Sequence, residues 1–233
     1  MHVGEGIYTL AEAAALLRLP TRRLSRWVNG YVRDGVSYAP LWRSSMVWES
    51  DGESISFADL MEARVVAAFH GTGVHIPVIR EAIDRARSEY GEQRPLSTRR
   101  FRTDGRRLFG EVAGARTAPS SESGLVDVGL NQGVFRSVVE PALRDVEFEG
   151  DSAARWWPLD GRRIIVLDRA RSFGRPIDAT SGVPAHVLHD ALGEPGAAEG
   201  ETPRAAYRGV ARLYGVPEKV VREAEVFSRR FAA

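Results

Sequence analysis

Apolar residues recur every three or four positions through most of this chain, and this period predicts amphipathic helices. The first helix is predicted over Leu10–Leu17, where Thr9 and Glu12 have the spacing of a capping box. Pro20 ends this helix, and Thr21 can cap a second one that runs to Asn29 and stops at Gly30. Two short helices joined by a tight turn have the outline of a helix-turn-helix.

The second helix separates its residues by face. At about 100° per residue, Leu24, Trp27 and Val28 share one side, and the polar residues occupy the rest of the surface. Arg22 and Arg26 are an i,i+4 pair of like charges, which a nearby anion such as a DNA phosphate would stabilise. A solvated arginine face is the alternative. The expected DNA contacts on this helix are Thr21, Arg22, Arg23, Ser25, Arg26 and Asn29.

Residues 31–48 are rich in aromatic residues and strand formers, with turn signals at Asp34-Gly35 and Ala39-Pro40. This composition predicts a β-wing. Trp42 and Arg43 are expected on its far strand, beside the phosphate backbone.

Two longer helices follow, the first from a capped start at Ser56 to His70 and the second from Pro77 to Gly91. This order of elements, with Gly-Val-His-Ile-Pro-Val-Ile-Arg at the start of the last helix, resembles the MerR-like winged helix-turn-helix. The resemblance covers residues 6–92, with Arg26-Trp27 and Trp42-Arg43 in place of the usual Arg-Tyr pairs. It implies binding to a pseudo-palindromic operator as a dimer.

The middle of the chain reads as β-containing. Asp104-Gly105 predicts a hairpin over residues 98–112, whose arginines face either DNA or an acidic neighbour within the protein. Residues 113–124 predict an exposed loop. Strands are predicted at 125–128, 146–148 and 163–168, with a short helix near 135–143.

The last part predicts three helices, over residues 184–192, 203–214 and 217–231. The preceding Gly-Arg-Pro-Ile and Ser-Gly-Val-Pro segments, with Ala-Arg-Leu-Tyr-Gly-Val later, resemble VapB-type bacterial antitoxins over residues 163–231. Ala179 and Ser181 depart from the usual pattern of that family. The resemblance implies a toxin partner with a PIN-like ribonuclease fold.

Charge and composition support a division between the two ends. The net charge is +1, and of the 32 basic residues only Lys219 is a lysine. Residues 1–48 hold six arginines against Glu5, Glu12 and Asp34, which gives +3 and favours a polyanionic partner at the front. The absence of cysteine excludes disulfides, thiolate metal sites and a cysteine nucleophile. With no signal peptide or apolar span in the sequence, we expect a cytoplasmic protein.

The sequence contains little evidence for an enzyme site or a metal site. His186, His189 and Asp190 could contribute to a metal site, but solvated histidines are the alternative. Asp145, Glu147, Glu149 and Asp151 alternate along a predicted strand, so they would meet a cation, a basic partner or solvent. No phosphate-binding loop, nucleophile elbow or catalytic triad motif is present, so we expect neither an enzyme nor a cofactor.

The sequence therefore predicts a mainly α protein with small β elements (α+β). Its segments are a DNA-binding domain over 1–93, a β-hairpin-containing segment over 94–152, and a toxin-binding, helix-turn-helix-like domain over 153–233. The predicted function is an antitoxin that forms a homodimer, binds operator DNA and assembles with a PIN-like toxin into a hetero-oligomer. The predicted toxin contacts are Arg222, Arg229, Arg230 and Phe231.

The alternative is a ligand-sensing MerR-like regulator without a toxin partner. Its pocket would be formed by the aromatic residues Trp156, Trp157, Tyr207, Tyr214 and Phe227. Core packing is the other use for these rings.

Overall fold

A computed structural model of the chain describes residues 5–42, 54–105, 107, 132–193 and 203–231. Within these ranges helices alternate with short strands. The helices are α1 (Leu10–Leu17), α2 (Thr21–Asn29), α3 (Phe57–Gly71), α4 (Ile76–Tyr90), α5 (99–105), α6 (Gln132–Leu143), α7 (Ala185–Gly193), α8 (Pro203–Tyr214) and α9 (Glu218–Phe231). The strands are β1 (Ile7–Thr9), β2 (Tyr31–Arg33), β3 (Val36–Tyr38), β4 (Ser54–Ser56), β5 (Val146–Glu149), β6 (Ser152–Trp156), β7 (Ile165–Asp168) and β8 (Pro176–Asp178).

The helix-turn-helix forms largely as its sequence predicts. Thr9 and Glu12 make the predicted capping box, and Arg18 ends α1 in the left-handed region with φ 56°. The prediction of Thr21 as the cap of α2 is wrong. Pro20 holds that position without a side-chain bond, and its carbonyl accepts from the Arg23 amide at 2.8 Å. The fixed φ of proline preorganises this start, so no hydroxyl cap is needed.

Two further helices complete the front of the molecule. Ser56 caps α3 through a reciprocal bond with Asp59, and the αL residue Gly91 ends α4, both as predicted. The sequence did not predict that β1 and β4 would pair in an antiparallel two-stranded sheet. Because the two strands are antiparallel, the start of α3 lies beside the start of β1, where the Phe57 amide donates to the Glu5 carbonyl at 3.0 Å.

The predicted hairpin over residues 98–112 is wrong, since residues 99–105 are helical. Thr98 Oγ1 accepts from the Phe101 amide at 3.1 Å, and Asp151 accepts from the amides of Arg99 and Arg100 at 2.9 and 2.8 Å. The free amides of a first helical turn are thus satisfied. Phe101 is fully buried, so packing also favours the helix over the Asp104-Gly105 turn.

A four-stranded antiparallel sheet in the order β5-β6-β7-β8 lies in the rear half. Every residue of β7 is buried. Helices α7, α8 and α9 contact one another, and α9 also contacts β7. The predicted positions of α6 and of α7–α9 agree with the structure to within about three residues.

One hydrophobic cluster contains side chains from all three predicted segments, including Leu24, Phe101, Trp156 and Phe227. None of the described helices has the length and apolar character needed to cross a membrane. The predicted loop at 113–124, the strand at 125–128 and the part of the wing beyond residue 42 lie outside the described residues.

Candidate nucleic-acid interface

Helix α2 is anchored by its apolar side. Leu24, Trp27 and Val28 are at most 5% exposed and pack into the main core. Because a helix turns about 100° per residue, burial of these three fixes which residues face outward.

The opposite side of α2 is open to solvent and cationic. Ser25 is half-buried, and the exposed residues on this helix are Thr21, Arg22, Arg23, Arg26 and Asn29. Within the described chain, Arg22 and Arg23 have no carboxylate partner, so their charges are not neutralised by the protein. Such a face can accept phosphate oxygens or the acceptor edge of guanine.

Two side chains of this face are held in place by neighbours. Asn29 Nδ2 donates to Ser25 Oγ at 3.2 Å, and the Arg26 guanidinium lies 5.0 Å from the centre of the Tyr31 ring. Tyr31 stacks in turn on Tyr38 across the β2–β3 hairpin at 4.6 Å. Arg26 is thereby oriented against the wing, and no carboxylate among the described residues forms an ion pair with it.

The β2–β3 hairpin is the described part of the predicted wing. Asp34 and Gly35 form its turn with φ of 52° and 76°. Both values are positive, as a tight hairpin turn requires. Arg33 lies beside this turn and pairs with Asp34 at 3.4 Å, but both side chains are at least 75% exposed, so the pair adds little stability. Its charge remains available to a phosphate.

The base of the wing is held by residues that the sequence pattern did not indicate. Arg80 of α4 donates from Nη1 to the Pro40 carbonyl and from Nη2 to the Ala39 carbonyl, each at 2.6 Å. The Leu41 amide donates to the Trp27 carbonyl at 2.7 Å. Arg80 ends the Gly-Val-His-Ile-Pro-Val-Ile-Arg motif, so that resemblance was the available signal for it.

The prediction of Trp42 as a phosphate contact is wrong. Its side chain is only 2% exposed and belongs to the main core beneath the wing. The large apolar surface of an indole favours burial over a place on a solvated strand. Arg43, the other predicted wing contact, lies outside the described residues.

His70 lies next to α2, with its ring 5.9 Å from that of Trp27. Burial lowers its pKa, and the positive charges of Arg23 and His75 lower it further. The lowered pKa favours the neutral imidazole, so the arginines supply the positive charge of this region.

The predicted toxin contacts on α9 divide into two groups. Arg230 pairs with Asp160, and Phe231 packs edge-on against Trp156, so both already have partners within the chain. Arg222 and Arg229 are exposed, although Arg229 pairs with Glu225 on the same helix and Arg222 lies 5.7 Å from the centre of the Tyr207 ring. They lie on one helix face with Val226, which is 38% exposed.

The other candidate groups have partners within the protein or lack the ligands of a site. Arg155 pairs with Glu147 at 3.4 Å and with Glu149 at 3.2 Å, so the acidic strand meets a basic partner from the same sheet. His186 and His189 belong to no group of three or more metal-ligating side chains among the described residues.

The rings of the alternative pocket are also largely packed. Trp156 and Phe227 belong to the main core, whereas Trp157 packs with Val166 and Ile177 in a separate cluster.

The front of the chain matches a family of known proteins. Residues 6–83 match the family described as "Putative DNA-binding HTH domain". The chain is also 30% identical to "Putative antitoxin VapB45" of Mycobacterium tuberculosis, in an alignment of 230 positions that covers 94% of this chain and 92% of that protein. The chain belongs to the VapB45 family.

A solved structure and a second sequence, both from Mycobacterium tuberculosis, also resemble this VapB45-family chain. The crystal structure of Rv2018 covers 93% of the chain, with a TM-score of 0.69 and 25% identity, and 96% of Rv2018 is matched. The uncharacterized protein Rv2308 is 28% identical over 93 residues, which are 39% of this chain and 37% of Rv2308. The VapB45-family chain thus carries a helix-turn-helix DNA-binding domain within a mixed helical and strand fold.

Proposed function

We propose that this chain is an antitoxin that represses its own operon by binding operator DNA and neutralises a ribonuclease toxin with a PIN-like fold. Family membership supports the antitoxin role, because the homologue that spans nearly the whole chain bears that name. The observation that carries the DNA-binding half is the exposed arginine face of α2, next to a wing and without carboxylate partners in the described chain.

In this proposal the front domain is MerR-like and acts as a homodimer. Helix α2 enters the major groove, where Arg22, Arg26 and Asn29 face base edges, and the β2–β3 wing follows the phosphate backbone. Arg80 positions the wing through its two carbonyl contacts. A two-fold symmetric dimer would read two half-sites of a pseudo-palindromic operator.

The toxin contact is proposed on α9. Arg222, Val226 and Arg229 form an exposed stripe at i, i+4 and i+7, with an apolar side chain between two cations. Metal-dependent ribonuclease sites are built from carboxylates, and arginine pairs with carboxylates in a bidentate geometry. Arg230 and Phe231 are less suited to a first contact, because they join α9 to Asp160 and Trp156 elsewhere in the chain. The pair of Arg229 with Glu225 lies within α9 and leaves the Arg229 side chain 76% exposed.

The proposed action needs neither catalysis nor a cofactor, and it takes place in the cytoplasm, where operator and toxin are found. Binding to two macromolecules through two separate cationic surfaces is sufficient for it. The alternative of a ligand-sensing regulator with a five-ring rear pocket is less well supported, because Trp156 and Trp157 pack in different clusters.

The test uses two matched arginine pairs in the full chain. Arg22→Ala with Arg26→Ala is expected to weaken binding to the DNA upstream of the operon by about tenfold or more. It should also reduce the slope of log K against log salt by about one for each phosphate that the variant no longer neutralises. Arg222→Ala with Arg229→Ala is expected to leave the DNA isotherm unchanged and to weaken binding to the protein encoded beside this chain.

Each pair serves as the control for the other. Equal loss of both activities in both variants would reject the division between two surfaces. An unchanged salt dependence in the α2 variant would reject its phosphate contacts, and a neighbouring gene that encodes no PIN-like protein would reject the toxin class.

A further inference from the structure

A cleft of about 450 Å³ lies where the front and rear halves meet. Its described walls come from the α1–α2 turn, from α3 and α6, and from the end of α9. The volume falls in the range of sites for small ligands.

The cleft contains an arginine that forms no ion pair with a carboxylate of the described chain, although Asp145 and Asp160 line the same cleft. The Arg64 guanidinium carbon lies 4.2 Å from the centre of the Trp156 ring, and Nη1 is buried without a hydrogen-bond partner among the described residues. Burial lowers the pKa of Arg64 to about 10, with a smaller contribution from Arg230 and against the charges of Asp145 and Asp160. Arg64 is therefore still a cation at neutral pH.

A second buried donor lies beside it. Trp156 is only 4% exposed, and its indole Nε1 has no hydrogen-bond partner within the part of the chain that the structure describes. Both unsatisfied groups are donors, and a buried donor without an acceptor costs about 1–3 kcal/mol. The site therefore lacks a hydrogen-bond acceptor, and the positive charge of the guanidinium favours an acceptor that carries negative charge.

The rest of the cleft limits the kind of anion. Apolar side chains line much of it, among them Leu16, Ala68, Val138 and Phe231. Arg230, Asp160 and Asp145 also line the cleft. Arg230 and Asp160 pair with each other, and the Asp145 carboxylate disfavours a second negative charge on a ligand. A buried guanidinium on an apolar wall suits a monoanion with an apolar body better than a dianionic phosphate.

We propose that this cleft binds a small organic carboxylate, whose oxygens accept from Arg64 Nη1 and Trp156 Nε1 and whose apolar body lies against α3 and α6. The site is separate from the α2 face and from the α9 stripe. The turn of the helix-turn-helix and the end of α9 both line the cleft, so a ligand there would lie beside both.

The test follows the indole N–H signals of the five tryptophans in the ¹⁵N-labelled full chain. Sodium benzoate is the probe, and benzamide is its neutral isostere. We expect benzoate to shift the Trp156 signal saturably with an affinity on the order of millimolar. Benzamide should bind about tenfold or more weakly, because it lacks the charge. Trp156→Phe assigns the signal.

Two matched variants test the guanidinium. Arg64→Met keeps an unbranched apolar stem and is expected to weaken benzoate binding by about tenfold or more. Arg99→Met removes an exposed arginine that also lies over an aromatic ring, 5.8 Å from the centre of Phe148, and should leave binding unchanged. If Arg64→Met does not fold, the comparison of benzoate with benzamide in the unaltered chain still decides the question.

Three results would overturn the proposal. These are no shift of the Trp156 signal, an equal response to benzoate and benzamide, or retained binding in a folded Arg64→Met variant. A Trp156 signal that responds only to the toxin would likewise overturn it and would make the cleft a protein-binding surface.

Discussion

Asp59 and Glu62 on α3 are acidic residues with no exposed surface in the folded chain. Asp59 is paired with Arg94, and Glu62 Oε2 accepts from the Ser97 amide at 2.9 Å. These contacts attach the segment after α4 to the middle of α3. The sequence indicated Asp59 only as a capping residue. The burial of a carboxylate depends on its partner, and the partners of Asp59 and Glu62 lie 35 residues away, so no local sequence pattern predicts this burial.

The buried Glu62 should make stability depend on pH. Burial raises its pKa from the usual 4.5 to about 8, and the nearby Asp59 carboxylate adds a little, against the effects of Arg94 and two backbone amides. Between pH 4.5 and 8 the folded chain holds a proton that the unfolded chain has lost, so the free energy of unfolding falls as pH rises.

Glu62→Gln is expected to flatten that dependence, because an amide imitates the protonated acid and does not ionise. The substitution should reduce the slope of the unfolding free energy against pH by up to roughly 1.4 kcal/mol per pH unit. Urea unfolding between about pH 5 and 8 measures it, and Glu92→Gln, which changes an exposed carboxyl, is the control. Parallel pH profiles for the unaltered chain and Glu62→Gln would show that Glu62 is ionised in the folded state.

At the scale of elements, the α2–wing unit shows what the sequence can specify. The capping box of α1, the faces of α2, the Gly30 stop and the Asp34-Gly35 turn all depend on near neighbours in the chain, and all form as predicted. The hairpin at residues 98–112 was wrong because Asp151, about 50 residues away, supplies acceptors for a helix start. Trp42 and Arg80 were misplaced or missed for the same reason, since their partners are distant in sequence.

Gly30 sets the angle between α2 and the wing. Its φ of 74° with ψ of −173° is a conformation open almost only to glycine, and a Cβ there would clash with the Tyr38 carbonyl and the Pro40 nitrogen. Gly30→Ala is therefore expected to cost about 1–3 kcal/mol of stability and to displace the wing, which weakens operator binding.

Gly35→Ala is the matched control for this change. Gly35 also has a positive φ, 76°, but nothing lies within 4 Å of a Cβ there, so it carries only the backbone strain of roughly 1–2 kcal/mol. Chemical denaturation and gel-shift titration of both variants make the comparison. Equal effects on DNA affinity would mean that the wing angle does not matter for binding.

At the scale of the whole molecule, the sequence predicted three segments but not how they pack. The main core joins side chains from all three. Tyr8 Oη also donates to the Gly174 carbonyl at 2.7 Å, so the first strand contacts the turn before β8. Each segment contributes only one partner to such a contact, so the composition of the segments does not predict it.

A continuous core predicts cooperative unfolding. We expect one thermal transition in which calorimetric and van't Hoff enthalpies agree. Tyr8→Phe removes one buried hydrogen bond and should lower the stability of the entire chain by about 1 kcal/mol.

The indole N–H signals of Trp27 in the front and of Trp157 in the rear of the ¹⁵N-labelled chain can follow this shift separately. A shift confined to the front probe would indicate independent domains.

Gly6 and Gly174 approach so closely that a Cβ on Gly174 would lie 2.9 Å from the Gly6 Cα. A front unit transplanted from a distant homologue would bring its own residues to positions 6 and 8 and would meet a foreign turn. Recombination that exchanges the DNA-binding unit alone is therefore expected to carry a folding penalty, unless residues 172–174 are exchanged with it. In such chains, changes in the DNA-binding unit and in the turn before β8 are constrained to occur together.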